Sequence, residues 1–332
     1  MATEKKMLQA AAGNAGGAGL DVDEVFSTYL YTGDGSSTAR AFENGIDLAG
    51  EGGLVWTKGR SNADQNALVD TERMNGGRMS KVLNSDSTSN AVDYYNYGIE
   101  VMTPSSTGYD LKNSELLFNG SSRTYASWTF RKAPKFFDVV TFEITRDGSN
   151  NLSSTSSNVT ISNGEVTVDH NLASPPAIWM QKNADSSSAW YVRSTISGTV
   201  GGYGQLNRTN AWAGVGNWTF ASTDTQVGLG NYGFFQSGTN TYVMYLFANN
   251  AGDGEFGPDG DQDIIKCGSY TGNGFSTGPV INLGFEPQWL LIKNASASAN
   301  WELVDNMRDF RSPKTNVGLQ ALNPNSSDPE SE

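Results

Sequence analysis

The sequence predicts an all-β chain: tandem antiparallel β-sandwich domains preceded by a short helical or extended N-terminal arm. Three observations lead there. One pattern occurs three times, most clearly in residues 264–295: a short strand, a Gly-Asx-Gly turn, a second strand, a Gly/Pro turn, and a strand ending in lysine. The chain holds 38 glycines and 11% aromatic residues, which suits many short strands joined by tight turns and argues against disorder. Lastly, Tyr125-Ala126-Ser127-Trp128-Thr129-Phe130 alternates in character, the period-two mark of a half-buried strand.

Residues 1–24 differ from all that follows. Thr3 to Ala12 are good helix formers, and Gly13 and Asn14 supply a stop. A helix this short is unstable alone in water. The segment therefore reads either as a frayed tail or as an arm that orders by docking on a partner through Lys5, Lys6, Met7 and Leu8.

The first copy, residues 25–136, opens with a strand over 26–32, the turn Gly33-Asp34-Gly35 and a return strand. Leu54-Val55-Trp56-Thr57-Lys58 and Leu68-Val69-Asp70-Thr71-Glu72-Arg73 follow, and 125–130 close it. The second copy, residues 137–262, answers with Asp147-Gly148, with Ile178-Trp179-Met180-Gln181-Lys182, and with the closing run Tyr242-Val243-Met244-Tyr245-Leu246-Phe247. The third, residues 263–332, supplies Tyr270-Thr271-Gly272-Asn273-Gly274, Trp289-Leu290-Leu291-Ile292-Lys293 and Trp301-Glu302-Leu303-Val304-Asp305-Asn306-Met307-Arg308. A Leu-Asn pair recurs in each copy, beginning at Leu83, Leu206 and Leu322. The turn glycines Gly35, Gly148 and Gly274 lie roughly 110–130 residues apart, the length of whole domains rather than solenoid units.

By the spacing in the first two copies, the closing strand of the third falls past Glu332. The third copy therefore reads as incomplete, with the rest supplied by a longer protein or by another chain. Both faces of Trp289-Leu290-Leu291-Ile292 are apolar, so this strand is expected to be covered on both sides, by a neighbouring domain or subunit or by its own loops.

The balance of 22 basic against 35 acidic residues, a net charge of −13, argues against a nucleic-acid partner, which needs clustered Lys and Arg. One cysteine, Cys267, permits no intrachain disulfide and reads as a buried inert thiol; one histidine, His170, excludes a multi-histidine metal site within the chain. No apolar run approaches the ~20 residues of a membrane helix, and the N-terminus lacks an apolar signal core. There is no Gly-x-Ser-x-Gly elbow, and a Ser-His-Asp set would have to use His170, which reads as structural at a strand end. The chain is expected not to be an enzyme. The acidic stretch 253–263 offers Asp253, Asp259, Asp261 and Asp263 either to a calcium ion or to a solvated hinge, without EF-hand spacing. Trp190, Tyr203, Trp212 and Trp218 sit in the most irregular part of copy two and are the candidates for glycan or receptor contact.

The motifs IIKCGSYTGNG, GPVINLGFEPQWLLIKNA, WELVDNMR and YVMYLFANNAG resemble a family of repeat domains in structural proteins of marine bacteriophages, including those of cyanobacteria. The resemblance covers residues 25–332 and is strongest over 264–308. It departs most in copy one, where Gly52-Gly53 replaces the proline turn and Arg131-Lys132-Ala133 replaces Ala248-Asn249-Asn250. It implies lectin-like sandwiches of the concanavalin or SPRY type in a tail fibre or other virion appendage. The N-terminal arm would then anchor to other tail proteins and the distal part would meet a host surface glycan. Fibres of this class imply a homo-oligomer, a trimer by analogy. The alternatives are a capsid decoration protein or knob, and a glycan-degrading appendage enzyme. No catalytic residue carries over from the family.

Overall fold

The computed structural model describes residues 19–112, 115–196, 202–214, 222–230, 234–275, 277–308 and 320–330. The fold is all-β, of antiparallel sheets in sandwich arrangement, with 39% strand and 5% helix. The first repeat contributes β1 (Phe26–Thr32), β2 (Arg40–Glu43), β3 (Gly53–Gly59), β4 (Ala67–Asp70), β5 (Lys81–Asn84), β6 (Val92–Asp93), β7 (Met102–Ser105), β8 (Gly108–Leu111) and β9 (Thr124–Arg131). One sheet runs β1-β9-β3-β4-β5-β6 and the facing sheet runs β2-β8-β7. The Gly33-Asp34-Gly35 turn thus carries the chain from one sheet to the other, and Gly35 takes the positive φ of 68° that glycine tolerates.

The second repeat is built on the same plan. It contains β10 (Phe137–Arg146), β11 (Leu152–Ser153), β12 (Val159–Ser162), β13 (Glu165–Asp169), β14 (Ile178–Asn183), β15 (Tyr191–Ser194), β16 (Tyr203–Gln205), β17 (Gln226–Gly228) and β18 (Gly238–Phe247). Its large sheet runs β11-β10-β18-β14-β15-β16 and its small one β12-β13-β17. The closing strand is central in both: β9 lies between β1 and β3, and β18 between β10 and β14. Register fixes the equivalences. Trp56 faces Trp128 across β3 and β9, and Met180 faces Tyr245 across β14 and β18.

The third repeat contributes β19 (Trp289–Lys293) and β20 (Trp301–Asp305), which pair only with each other among the named strands. Residues 264–275 and 277–288 form no strand, which corrects the expectation of two strands there. The reason is hydrogen bonding. In repeats one and two the opening strand is held by the closing strand, and no described residue plays that part in repeat three.

Three apolar clusters follow from this arrangement. One fills the sandwich of repeat one, around Phe42, Val55, Val69 and Tyr109. Another fills that of repeat two, around Phe142, Trp179, Val227 and Met244. The largest joins the outer faces of both large sheets to the β19–β20 hairpin, through Trp56, Trp128, Met180, Trp190, Tyr245, Trp301 and Leu303. The closing strands are therefore buried on both faces, a correction to the half-buried reading of 125–130. Their alternation separates two cores and not core from water. Thr129 and Ser127 look into the sandwich, where the Asn44 amide donates to Thr129 Oγ1 (2.9 Å) and Tyr109 Oη pairs with Ser127 Oγ (2.9 Å). Conversely, every residue of β19 is only half-buried. Trp289 and Leu291 pack on the shared core, so the expected cover on both faces is present on one.

Candidate functional site

The shared core is ringed by polar joints that repeat in a cycle. At the end of each inner strand stands a lysine: Lys58, Lys182 and Lys293. Lys58 Nζ donates to the Ser327 carbonyl of repeat three (2.9 Å) and to that of Asp64 (2.7 Å). Lys182 Nζ donates to the Thr88 carbonyl of repeat one (3.2 Å), and Lys293 Nζ to the Thr209 carbonyl of repeat two (3.0 Å). Each lysine therefore holds the loop that follows the Leu-Asn pair of the preceding repeat. A second set runs the same way. Asn66 Nδ2 donates to the Asn323 carbonyl (3.1 Å), Trp190 Nε1 to that of Asn84 (2.8 Å), and Trp301 Nε1 to that of Gln205 (2.9 Å). The three repeats thus close into a ring within one chain, with Leu83, Leu206 and Leu322 all buried at its centre.

A third set is ionic and reaches the other way. Asp70 and Arg73 form a buried pair (Nη2 to Oδ2 2.6 Å), and Tyr245 of repeat two donates its hydroxyl to Asp70 Oδ2 (2.7 Å). Asp305 and Arg308 form the equivalent pair (Nε to Oδ2 2.7 Å), and Trp128 of repeat one donates Nε1 to Asp305 Oδ2 (2.9 Å), with the Arg308 guanidinium over its ring. In both pairs the arginine N–H also caps the aspartate three residues earlier, so the clasp is pre-shaped by local turn geometry. Burial works against charge on Arg73, but the Asp70 carboxylate outweighs it and holds the pKa above the ordinary arginine value. The equivalent position in repeat two, set by the register of Ile178 with Ser194, is a serine. Its clasp would face the closing strand of repeat three.

A family model matches residues 21–332. The chain belongs to the DUF7483 family, a domain of unknown function. No curated protein and no solved structure matches it. The match spans all three repeats, so the DUF7483 domain is the whole ring.

Against this frame of joints the residues singled out from sequence separate clearly. Trp190 is fully buried in the shared core of the DUF7483 ring, which removes it from glycan contact; its indole clamps the distant loop after Asn84 of repeat one. Trp212 is partly buried against the same core, and Gly204 lets its ring and that of Trp301 approach the backbone, where a Cβ would sit 2.8 and 3.1 Å from them. Tyr203 is half-buried on β16, edge-on to Tyr191 (5.5 Å) and Phe234 (5.3 Å). Trp218 and the arm residues Lys5, Lys6, Met7 and Leu8 lie outside the described residues.

The acidic loop does not assemble a cation site: among the described residues no group of three or more His, Cys, Asp or Glu is placed to hold a metal. Asp263 instead accepts the Gly252 and Gly254 N–H groups (2.8 and 3.0 Å), and Asp253 accepts that of Ala251 (3.0 Å). The loop is solvated along most of its length, with Asp253, Glu255, Asp259 and Asp261 exposed, but it is anchored at its middle. Phe256 is buried against Phe136, and the Leu20 carbonyl accepts the Gly257 N–H (2.9 Å), tying the end of the arm to it. His170 is buried, its Nδ1 accepting the Leu172 N–H (3.2 Å), and burial lowers its pKa. Cys267 is half-buried beside the Ala248 carbonyl, and burial pushes its thiol up to about 12, so it is inert at neutral pH. No helix among the described residues is long and apolar enough to cross a membrane.

The joints are the part that sequence reasoning did not recognise as such. The signal was present: a lysine ending an apolar strand three times, and Asp-x-x-Arg twice at matching places. Buried lysines leave a pH signature. Burial holds Lys58 and Lys182 down to about 8 from 10.5. Between those values the unfolded chain binds more protons than the folded one, so stability rises with pH across that window. The penalty is fully present below pH 8 and is relieved as the amines deprotonate, by about 3 kcal/mol per lysine at most. Urea midpoints should increase between about pH 7.5 and about pH 9.5, and increase less in Lys58→Met.

Proposed function

We propose that this DUF7483 chain is a structural protein of a phage virion, most consistent with a tail fibre or appendage, and works by assembly and adhesion rather than by catalysis. The carrying observation is that six of the buried charged side chains, Asp70, Arg73, Asp305, Arg308, Lys58 and Lys182, serve repeat-to-repeat joints. A ring locked in this way suits a load-bearing module. The resemblance of its motifs to marine phage structural proteins supplies the setting, with the arm at residues 1–24 as anchor and half-buried Tyr203 and Trp212, together with Trp218, as the remaining candidates for glycan contact. Lysine joints link all three pairs of repeats within one chain, so a homotrimer would be a further level of assembly.

Gold-labelled antibody against the purified chain tests the reading on particles that carry the protein. Label on tail appendages is the expected result. Label spread over the capsid lattice would transfer the protein to the decoration class, and absence from purified particles would end the virion reading.

A further inference from the structure

Among the described residues the closing-strand contact of repeat three is unfilled, and the other two repeats specify what fits it. We propose that the free edge of β19 is an acceptor for one extended polypeptide strand, antiparallel to β19 and of the β9 and β18 type, whose aromatic side chain completes the contact between repeats two and three. The inference stands independently of the virion reading.

The edge is built for pairing. Asn306 donates its N–H to the Gln288 carbonyl (3.0 Å) on the β20 side. Main-chain groups alternate along an antiparallel strand, so those of Trp289, Leu291 and Lys293 face away from β20. The corresponding groups of β3 and β14 are taken by β9 and β18; none of the named strands takes them in β19. Such an edge is the template used in strand addition.

Side chains agree with the backbone. The Trp289 indole N–H is buried without a partner, and its ring is edge-on to Phe130 at 5.4 Å. The same repeat leaves large apolar groups in water, among them Phe275 at 74% and Val280 at 97% exposure. They belong to the opening segment of the repeat, the part that a closing strand holds in repeats one and two. The chemistry of the occupant follows from register. A tryptophan or tyrosine stands opposite Trp56 and Met180, and therefore opposite Leu291; a phenylalanine stands opposite Leu54 and Ile178, and therefore opposite Trp289. Ser194, in place of the charged clasp, would meet the ring with a neutral hydroxyl. Residues 1–18 contain no aromatic residue and do not fit this pattern.

The test titrates a fluorescein-labelled peptide with the sequence of residues 123–132, RTYASWTFRK, into the full chain and follows anisotropy. Saturable binding is expected, with slowed hydrogen exchange at the amides of Trp289, Leu291 and Lys293. The same peptide N-methylated at alternate residues on its β19-facing side should bind about tenfold or more weakly, because it cannot complete the ladder. This control alters the ligand and leaves the protein's folding untouched. Absence of saturable binding overturns the proposal. So does equal affinity for the N-methylated peptide, which would mean that apolar contact alone is responsible. Dimers of the chain that exclude the peptide would also overturn it, by assigning the edge to a second copy of β19.

Discussion

Replacing Trp128 with alanine lowers the unfolding free energy of the chain by about 3–5 kcal/mol, the range for deleting a buried aromatic from a packed core. Trp128 lies in the middle of the central strand of repeat one and is fully buried. It packs edge-on to Trp56 at 6.2 Å, beneath the guanidinium of Arg308, and donates to Asp305. Truncation therefore removes apolar area from the shared core and a donor from a buried carboxylate in one step. Trp128→Phe separates these effects, since it keeps most of the area and loses the hydrogen bond; its cost should be about 1.5–3 kcal/mol, the range for a bond to a charged group. Urea titrations followed by circular dichroism measure both. A double-mutant cycle of Trp128→Phe with Asp305→Asn should show a coupling of about 0.5–3 kcal/mol; strict additivity would mean that the joint is not energetically real.

The second large effect is at the other clasp. Asp70→Ala should cost about 3–5 kcal/mol, because Arg73 would be left buried without its counter-ion. Both side chains are almost wholly withdrawn from water. The Tyr245 hydroxyl, which now bridges them at 2.7 and 3.2 Å, cannot neutralise a guanidinium. Replacing both partners, as in Asp70→Leu with Arg73→Met, should recover much of the loss, since the desolvation cost of two charges disappears with the charges. Tyr245→Phe should cost about 1.5–3 kcal/mol, because its hydroxyl too bonds a charged carboxylate. If the single Asp70 variant unfolds at the wild-type urea midpoint, the pair contributes nothing to holding repeat one against repeat two. A transition that splits into two steps would show instead that the clasp is what makes the repeats unfold together.

Local pattern made much of the fold legible. Glycine turns, strand-length apolar runs and the threefold recurrence of a lysine-ended strand act over a few residues, and the positions of β1, β3, β9, β14 and β18 follow from them. What local pattern could not convey was the meaning of a two-sided strand. Ala126, Trp128 and Phe130 alternate with Tyr125, Ser127 and Thr129 as a half-exposed strand would, yet both rows are buried, because a second repeat covers the outer face. For the same reason Trp190 read as a loop aromatic open to ligand, although its indole is a joint donor at the ring's core. In the third repeat the strand signals of residues 264–288 are as strong as elsewhere in the chain, but a strand forms only where a partner accepts its hydrogen bonds.

Composition, turn glycines and recurring motifs were enough for an acidic, all-β, three-times-repeated chain with a single cysteine, and for the lysine that ends each inner strand. Tertiary structure alone decided that the repeats form a ring, that the lysines and Asp-x-x-Arg pairs are its joints, and that none of the named strands pairs with the second edge of β19. These are contacts between residues more than 80 positions apart in the chain, such as Lys293 with Thr209, Asp70 with Tyr245 and Trp128 with Asp305. No local spacing encodes them, because burial against a distant repeat is what turns a surface charge pair into a structural one.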